Sequence, residues 1–298
     1  MSNAIITTSN LTKCYGDKKV VNDVTLQINQ GEICGLVGKN GAGKTTLMRL
    51  LTGLISPSAG TFAVCPNQVR TDTTVAALIE APSLYGGFSA MDNLKAQARL
   101  LGIADDTAYF AKTLEIVGLA NTNQKVSNFS LGMKQRLAIA VALLGKPNLV
   151  LLDEPTNGLD PQGIMDLREL FVKLNRDCGI TFVISSHILS ELGKFATSYC
   201  FLDNGRLIKQ ATASEVESRC KKFVRVQLQD VPTAYELLKQ AGYTVEGRRG
   251  QVDILDESVQ IVDIVNILSQ GGVVLQNVQV VSQSLEDYFM ALLRGEEK

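Results

Sequence analysis

Apolar and polar residues alternate in the first part of the chain and merge into nearly continuous apolar runs further along. Val24, Leu26 and Ile28 alternate with polar neighbours, which predicts a half-buried β-strand. Continuous apolar runs are typical of central strands in a parallel sheet that is covered on both faces. Such runs lie at 33–37, 149–152 and 180–184. The pattern therefore predicts an α/β fold with buried parallel strands.

Helical periodicity lies between these runs. Leu47, Leu50, Leu51 and Leu54 recur at i, i+3, i+4 and i+7, which predicts an amphipathic helix after the first run. The segment Pro161–Asn175 separates the second and third runs and predicts the helix of a β-α-β crossover. Segments rich in Ala, Leu and Lys predict further helices at 91–101, 106–117 and 131–144.

A change of pattern after position 205 indicates a second domain. Asp203-Asn204-Gly205 predicts a hairpin turn, and a charged stretch follows it at 211–221. From 223 to 281 the predicted order is β-α-β-β-α-β, which is typical of a small ferredoxin-like module, and a last helix follows. We predict a first domain at 1–218, with a helical subdomain at about 85–147, and a C-terminal accessory α+β domain at 219–298.

The composition narrows the chemistry. The 298 residues include 29 Lys and Arg against 30 Asp and Glu, so charge gives no reason to expect nucleic acid as a partner. The single His excludes a multi-histidine metal site, and the six Cys show no C-x-x-C pair, which indicates reduced thiols. Neither a membrane span nor a signal peptide is predicted. We expect a soluble, intracellular protein.

A glycine-rich segment follows the first apolar run. Gly38-Lys39-Asn40-Gly41-Ala42-Gly43-Lys44-Thr45 fits the pattern G-x-x-x-x-G-K-[ST] and lies between a predicted strand and a predicted helix. The glycines let backbone N–H groups and the helix N-terminus face phosphates. Lys44 would bridge the outer phosphates, and the Thr45 hydroxyl would ligate Mg²⁺. The alternative is a glycine turn with a surface lysine, but the context favours a nucleotide site.

Two carboxylates end the second apolar run. In phosphate-loop proteins the first acid at such a strand end holds Mg²⁺, and here that residue is Asp153. Glu154 follows, and its carboxylate would turn toward the γ-phosphate and polarise the attacking water. A solvated strand end is the alternative. The presence of the phosphate loop favours the metal and water roles.

The order of these motifs resembles the nucleotide-binding subunits of ABC transporters over residues 4 to about 215. The segment Phe129-Ser130-Leu131-Gly132-Met133-Lys134-Gln135-Arg136 is similar to the LSGGQ signature of that family, with Leu131 for a Gly and Met133 for the Gln. The resemblance implies that Ser130, Gly132 and Met133 bind the γ-phosphate of ATP held by the opposite subunit. Ser130 also suits a helix N-cap, which is the structural alternative.

The same resemblance assigns roles to other residues. Tyr15 matches the aromatic residue that stacks on adenine. The segment 155–160 matches the loop that touches the partner subunit, although Asp160 before Pro161 is also good N-cap chemistry. His187 follows a predicted strand at the sheet edge where ligands gather, and it matches the switch histidine that contacts the γ-phosphate.

Glu80 stands where the family normally has a glutamine. A carboxylate can still ligate Mg²⁺, because this hard cation prefers oxygen. Glutamate at this position and the form of the signature at 130–136 are similar to a subgroup of exporters that protect bacteria against lantibiotics and bacitracin-like peptides. The alternative is that Glu80 reflects neutral drift at a position that tolerates substitution and carries no information about the subgroup.

The resemblance implies a P-loop NTPase domain of the ABC type, with a mixed sheet, an antiparallel β subdomain and a helical subdomain. ATP and Mg²⁺ are the expected ligands. We expect catalysis by Glu154, His187 and Lys44, and metal binding by Thr45, Glu80 and Asp153. The expected ATP-binding residues are Tyr15, Gly38, Lys39, Asn40, Gly41, Ala42, Gly43, Lys44, Thr45, Thr46, Ser130, Gly132 and Met133.

The expected function is an ATP-hydrolysing subunit that dimerises on ATP and powers a membrane permease for peptide-antibiotic export or immunity. The expected partners are a second ATPase subunit, in a homodimer or heterodimer, and that permease, which would hold the chain at the inner face of the cell membrane. One alternative is an ATP-dependent antibiotic sensor for a signalling system. Another is a soluble ABC-type ATPase acting on ribosomes or DNA, although such proteins usually carry two cassettes or a long coiled coil.

Overall fold

The computed structural model describes residues 3–65, 75–80, 83–120, 123–220, 222–256, 259–282 and 284–295. The chain divides into two compact units, Met1–Ala213 and Ser214–Lys298. The division predicted from the sequence lies five residues later, after position 218. The elements of the first unit are β1 (Ala4–Tyr15), β2 (Lys18–Val24), β3 (Gln27–Asn29), β4 (Ile33–Gly38), α1 (Lys44–Leu51), β5 (Ala59–Val64), β6 (Val75–Leu78), α2 (Ala90–Leu100), α3 (Thr107–Ile116), a 3₁₀ turn (Val126–Asn128), α4 (Leu131–Leu143), β7 (Leu149–Asp153), α5 (Pro161–Cys178), β8 (Thr181–Ser186), α6 (Leu189–Leu192), β9 (Ser198–Asp203) and β10 (Arg206–Thr212).

Six strands form the central sheet of this unit, in the order β10-β9-β4-β8-β7-β6. All neighbours are parallel except β9 and β10, which form the predicted hairpin. Every residue of β4 and β8 is buried, as expected for strands covered on both faces. The parallel pairing brings the carboxyl ends of β4, β7 and β8 to one edge of the sheet. The predicted α/β fold class is confirmed.

A smaller antiparallel sheet contains β2, β1 and β3, and β5 pairs with β1. Val24, Leu26 and Ile28 are buried, so the predicted alternation is confirmed, but the strand breaks between β2 and β3. The Thr8 hydroxyl lies at this break. It donates to the Val24 carbonyl at 2.9 Å and accepts from the Leu26 N–H at 2.9 Å. The Thr8 side chain thus bonds to backbone groups that would pair with backbone in a regular β-ladder.

Helix α1 is shorter than its periodicity predicts. Leu47, Leu50 and Leu51 are buried in the core of the unit, which confirms the apolar face. The expectation that Leu54 extends this face is wrong, because α1 ends at Leu51 and Gly53 takes a φ of 72°. A left-handed residue at this place stops the helix, and Leu54 is 67% exposed.

The helices α2, α3 and α4 lie close to the predicted positions and pack on one another. Ser89, Asp106 and Ser130 cap their N-termini by accepting backbone N–H bonds. Helix α5 begins as predicted, with the Asp160 carboxylate accepting from the Gly163 N–H at 3.0 Å. The crossover from β7 through α5 to β8 is therefore confirmed. No helix in the described ranges has the length and apolarity that a membrane span requires.

Three elements of the first unit carry too little pattern to be predicted from sequence. None of the six residues of β5 is fully buried, and β6 and α6 have four residues each. They depend on tertiary pairing rather than on periodicity. β6 pairs in parallel with β7, with Leu78 opposite Leu152, and this pairing places the following Glu80 beyond the carboxyl edge of the sheet.

The second unit is an α+β structure. After α7 (Ala213–Arg219), its elements are β11 (Lys222–Leu228), α8 (Val231–Gln240), β12 (Val245–Arg248), β13 (Gln251–Ile254), α9 (Ile261–Gln270), β14 (Leu275–Ser282) and α10 (Leu285–Arg294). The four strands are antiparallel in the order β12-β13-β11-β14. Val226, Ile254, Leu238 and Leu268 are fully buried in one apolar cluster between sheet and helices. From β11 to β14 the elements follow the predicted β-α-β-β-α-β order.

Candidate functional site

The glycine-rich segment forms a loop between β4 and α1 that packs tightly on neighbouring strands. Gly43 has a φ of 100°, and a Cβ there would lie 2.6 Å from the Val20 carbonyl oxygen. A Cβ at Gly38 would lie 2.7 Å from the Leu202 carbonyl oxygen. Glycine fits at both positions without a shift of the facing backbone. The loop leads directly into the N-terminus of α1, the end of a helix that attracts anions.

Lys44 folds back over this loop. Its Nζ donates to the Gly38 carbonyl at 2.6 Å and to the Lys39 carbonyl at 3.3 Å, and it lies 3.9 Å from Glu154 Oε1. The side chain is only 7% exposed. Burial lowers the pKa of Lys44, and the nearby Glu154 and Asp153 carboxylates oppose this effect. The ammonium is therefore held in a desolvated place where an anionic ligand would be a strong partner.

Asp153 lies at the end of β7 and uses both carboxylate oxygens. Oδ2 accepts from the Thr45 hydroxyl at 2.7 Å, and Oδ1 accepts from the Ser185 hydroxyl at 2.6 Å. Thr45 and Asp153 thus present a hydroxyl and a carboxylate oxygen side by side at the first turn of α1. These are the hard oxygen donors that Mg²⁺ takes in phosphate-loop sites, so the residues present fit this metal.

Glu154 and His187 form a pair next to Asp153. Glu154 Oε2 lies 2.6 Å from His187 Nδ1 and accepts from the His187 backbone N–H at 3.2 Å. Glu154 has a φ of 50°, a left-handed conformation that is uncommon for residues other than glycine. Its own N–H donates to the Ser185 hydroxyl at 2.9 Å. The Glu154 side chain is therefore oriented by His187, and its backbone is held by Ser185.

The loop and the two carboxylates surround one cavity of about 360 Å³, within the size range of ligand sites. Most of the predicted phosphate-loop residues line it, together with both predicted acids. The lining residues are Val20, Asn40, Gly41, Ala42, Gly43, Lys44, Thr45, Thr46, Asp153 and Glu154. The structure thus brings these predicted site residues together, and His187 joins them through Glu154.

Other predicted residues lie apart from this cavity. Tyr15 ends β1 and is 50% exposed, with Lys13 Nζ 5.3 Å from its ring centroid. Ser130, Gly132 and Met133 are at the start of α4, where the Ser130 hydroxyl accepts from the Met133 N–H at 3.2 Å. The N-cap interpretation of Ser130 is therefore confirmed. Because these residues do not line the cavity of their own chain, adenine stacking and γ-phosphate binding across subunits stay predictions.

Glu80 follows β6 with a φ of 71°, and its exposed carboxylate forms an ion pair with Arg49 of α1. It does not line the cavity described above. A metal-binding role for Glu80 stays a prediction. It requires the carboxylate to leave the Arg49 guanidinium and bind Mg²⁺ instead. The adjacent residues 81 and 82 lie outside the described residues.

Sequence reasoning missed two residues of the site. Val20 of β2 lines the cavity, and its carbonyl crowds the glycine at position 43. Ser185 contacts both acids at the end of β7. The available signal was a pair of serines, Ser185 and Ser186, that interrupts an apolar strand directly before His187. Buried polar residues at a strand end need hydrogen-bond partners, which a neighbouring strand can supply.

Comparison with known proteins gives the family. A profile of the ABC transporter family matches residues 21–157. The chain is 37% identical to the bacitracin transport ATP-binding protein of Bacillus licheniformis, and the match covers 98% of both chains. It is 44% identical to a lantibiotic transport ATP-binding protein of Streptococcus pyogenes over 67% of this chain and 87% of that protein.

The fold agrees with a solved structure of the same kind. The dimeric, post-hydrolysis structure of the ATP-binding cassette MJ0796, bound to ADP and Pi, matches with a TM-score of 0.61. That match covers 70% of this chain and 98% of the cassette at 23% identity, a level that concerns the fold alone. The family binds nucleotide and hydrolyses ATP. With a near full-length relative, a family profile and an intact phosphate loop, this chain belongs to the ATP-binding subunits of ABC transporters and is an ABC-type ATPase.

Proposed function

We propose that the chain hydrolyses Mg²⁺-ATP as one of two paired subunits and so drives a membrane permease that exports peptide antibiotics. One observation carries the catalytic part of the proposal. Thr45, Asp153, Ser185, Glu154 and His187 form a continuous series of hydrogen bonds beside the phosphate loop. This series connects Thr45 and Asp153, which would hold Mg²⁺, with Glu154, which would orient the attacking water.

Lys44 would bind the outer phosphates. Its ammonium now bonds to the carbonyl oxygens of Gly38 and Lys39, which are neutral acceptors. Phosphate oxygens carry formal charge and accept stronger, charge-assisted hydrogen bonds. Because Lys44 is buried and its pKa is lowered, a bound triphosphate would favour its charged form and hold it in place.

Thr45 and Asp153 would hold Mg²⁺ at the edge of the cavity. Held there, Mg²⁺ would supply positive charge that offsets the negative charge of the phosphates during transfer. The Thr45 hydroxyl and the Asp153 carboxylate supply the oxygen ligands, and Ser185 keeps the second carboxylate oxygen in place. Glu80 is proposed as a further ligand once it leaves Arg49.

Glu154 would orient and polarise the attacking water. Its Oε2 is fixed by two bonds from His187, whereas the group recorded near Oε1 among the described residues is the Lys44 ammonium, at 3.9 Å. A carboxylate held in this way is preorganised to accept a proton from water. His187 would fix the carboxylate and lie beside the γ-phosphate.

The remaining predicted residues fit a second subunit. Ser130, Gly132 and Met133 lie outside the cavity of their own chain, at the N-terminus of α4, the end of a helix that suits an anion. Leu131 beside them is 50% exposed. We therefore propose that these residues close on ATP held by a partner, as homodimer or heterodimer, and that Tyr15 stacks on adenine. The MJ0796 cassette was also solved as a dimer.

The proposed transport substrate rests on the relatives. The bacitracin relative is similar over nearly the whole chain, including the second unit, and the lantibiotic relative is similar over about two thirds of it. We propose that a membrane permease carries the substrate, as in an ABC transporter. We propose that this permease holds the chain at the inner face of the cell membrane.

Replacing Glu154 by Gln tests the catalytic proposal. Glu154→Gln removes the negative charge but keeps the size, so the full chain should bind ATP while its turnover falls at least about 100-fold. A sandwich dimer should then accumulate with ATP in size-exclusion chromatography. The matched control is Glu236→Gln on the exposed side of α8, which should leave both properties unchanged. Full turnover in Glu154→Gln would refute the assignment.

A resistance assay tests the proposed substrate. The chain and its permease are expressed in a sensitive bacterial strain that is challenged separately with bacitracin and with a lantibiotic. We expect the minimum inhibitory concentration of at least one of the peptides to rise with the native chain and not with Glu154→Gln. Unchanged minimum inhibitory concentrations, with ATPase activity confirmed for the chain, would reject peptide export and leave the ATPase assignment intact.

A further inference from the structure

Ser185 is a buried polar residue that the proposed mechanism does not require as a ligand. It lies in β8 with 0% exposure, between apolar strands on either side. Its register partner in β7 is Asp153. A buried hydroxyl without partners is costly, so the bonds it makes show why a serine is tolerated there.

The Ser185 hydroxyl uses both its donor and its acceptor capacity on the two adjacent acids. It donates to Asp153 Oδ1 at 2.6 Å and accepts from the Glu154 backbone N–H at 2.9 Å. The first bond leaves Oδ2 of Asp153 directed at the Thr45 hydroxyl. The second bond holds Glu154 at its left-handed φ of 50°, a conformation that persists only where surrounding contacts impose it.

We propose that Ser185 is a positioning residue that sets the metal-binding carboxylate and the water-binding carboxylate at the same time. The proposal rests on the proposed use of Mg²⁺ by Thr45 and Asp153. Through Asp153, Ser185 controls the affinity for Mg²⁺, because a ligating carboxylate binds more weakly when its orienting partner is lost. Through Glu154, it controls turnover even when the metal is saturating.

The chain offers a matched control for the loss of a buried serine. Ser198 of β9 is also buried, and its hydroxyl donates to Glu32 Oε2 at 2.7 Å, so it makes the same kind of bond. Ser198 pairs in register with Cys34 near the amino end of β4, at the opposite edge of the sheet from Asp153. Ser198→Ala therefore removes a buried serine–carboxylate bond without touching the site.

The experiment compares the full chain with four variants: Ser185→Ala, Ser185→Thr, Ser185→Val and Ser198→Ala. Thr and Val add the same bulk, and only Thr keeps the hydroxyl, so this pair separates hydrogen bonding from packing even if Ser185→Ala folds poorly. Five quantities are measured: the melting temperature, the Mg²⁺ midpoint of the thermal shift with a non-hydrolysable ATP analogue, ATP binding in EDTA, and kcat and KM for ATP at saturating Mg²⁺.

We expect the Mg²⁺ midpoint to rise about 10- to 100-fold in Ser185→Ala and in Ser185→Val, the usual effect of losing such a partner. Turnover at saturating Mg²⁺ should fall about tenfold or more, whereas ATP binding in EDTA should stay unchanged. Ser185→Thr should recover most of both losses relative to Ser185→Val. Ser198→Ala should lower the melting temperature alone.

Two results would overturn the proposal. One is a native Mg²⁺ midpoint and turnover in the folded Ser185→Ala or Ser185→Val chain. The other is an equal Mg²⁺ effect in Ser198→Ala, because that effect would report stability rather than position. Failure of the proposed function itself looks different: the native chain would then show no Mg²⁺-dependent turnover at all.

Discussion

His187 is expected to act on turnover rather than on ATP affinity. Its Nδ1 lies 2.6 Å from Glu154 Oε2, and its backbone N–H makes a second, longer bond to the same oxygen at 3.2 Å. His187→Ala removes the ring bond and keeps the backbone bond. Glu154 should then stay near its place but lose its orientation.

The size of the effect follows from that single bond. A hydrogen bond to a charged group contributes about 1.5–3 kcal/mol, which corresponds to a loss in kcat of about 10- to 150-fold. The His187 ring is 48% exposed, so water competes for the carboxylate and the lower part of this range is expected. The dissociation constant for ATP should change less than about twofold, because the lost contact acts in the transition state.

Single-turnover hydrolysis and equilibrium binding of a fluorescent ATP analogue separate the two effects. His187→Asn is the informative companion, since its amide nitrogen can reach the place of Nδ1, and it should recover part of the loss. In the double variant with Glu154→Gln, His187→Ala should cost nothing further, because residues that act as one unit are not additive. A native kcat in His187→Ala, or a loss confined to ATP binding, would refute this reasoning.

Two further predictions concern the phosphate loop. Gly41→Ala and Gly43→Ala both place Ala at positive φ, at a cost of about 1–2 kcal/mol, but only the Cβ at Gly43 meets the Val20 carbonyl. Gly43→Ala should therefore lower the melting temperature more than its matched control Gly41→Ala, and equal shifts would contradict the close packing. For Lys44, the penalty of burying its charge is full below its lowered pKa and is relieved as the pH rises toward the ordinary value. In urea titrations from about pH 8 to about pH 10, the free energy of unfolding of the native chain should rise relative to Lys44→Met, and a falling difference would contradict desolvation.

The parts of the site that depend on local chemistry could be predicted from the sequence. The phosphate loop is a contiguous segment, and Asp153 and Glu154 end an apolar run, so spacing and context were sufficient. The caps at Ser130 and Asp160 are local in the same sense. For both caps the partner atom lies three residues further along the chain.

The parts that depend on tertiary pairing could not be predicted. Ser185 acts on the acids only because β8 lies beside β7 in one particular register. Arg49 and Glu80 meet because α1 and the end of β6 lie together. Periodicity also failed at Leu54, where one left-handed glycine outweighed an apolar repeat. The spacing of residues in the sequence does not show which strands become neighbours, and these contacts depend on which strands do.

The bonds that build the site also set when it can form. Thr45 and Asp153 are 108 residues apart in sequence, and the bonds from Asp153 to Ser185 and from Glu154 to His187 span 32 and 33 residues. Contacts of such separation form late in folding, because long segments must be ordered before the contact is gained. On the ribosome, the site cannot be complete before β8 and His187 have emerged. Nucleotide binding at this site is therefore a measure of whether the first unit has folded at least as far as β8 and His187, and ATP in the cell would stabilise the chain only from that point on.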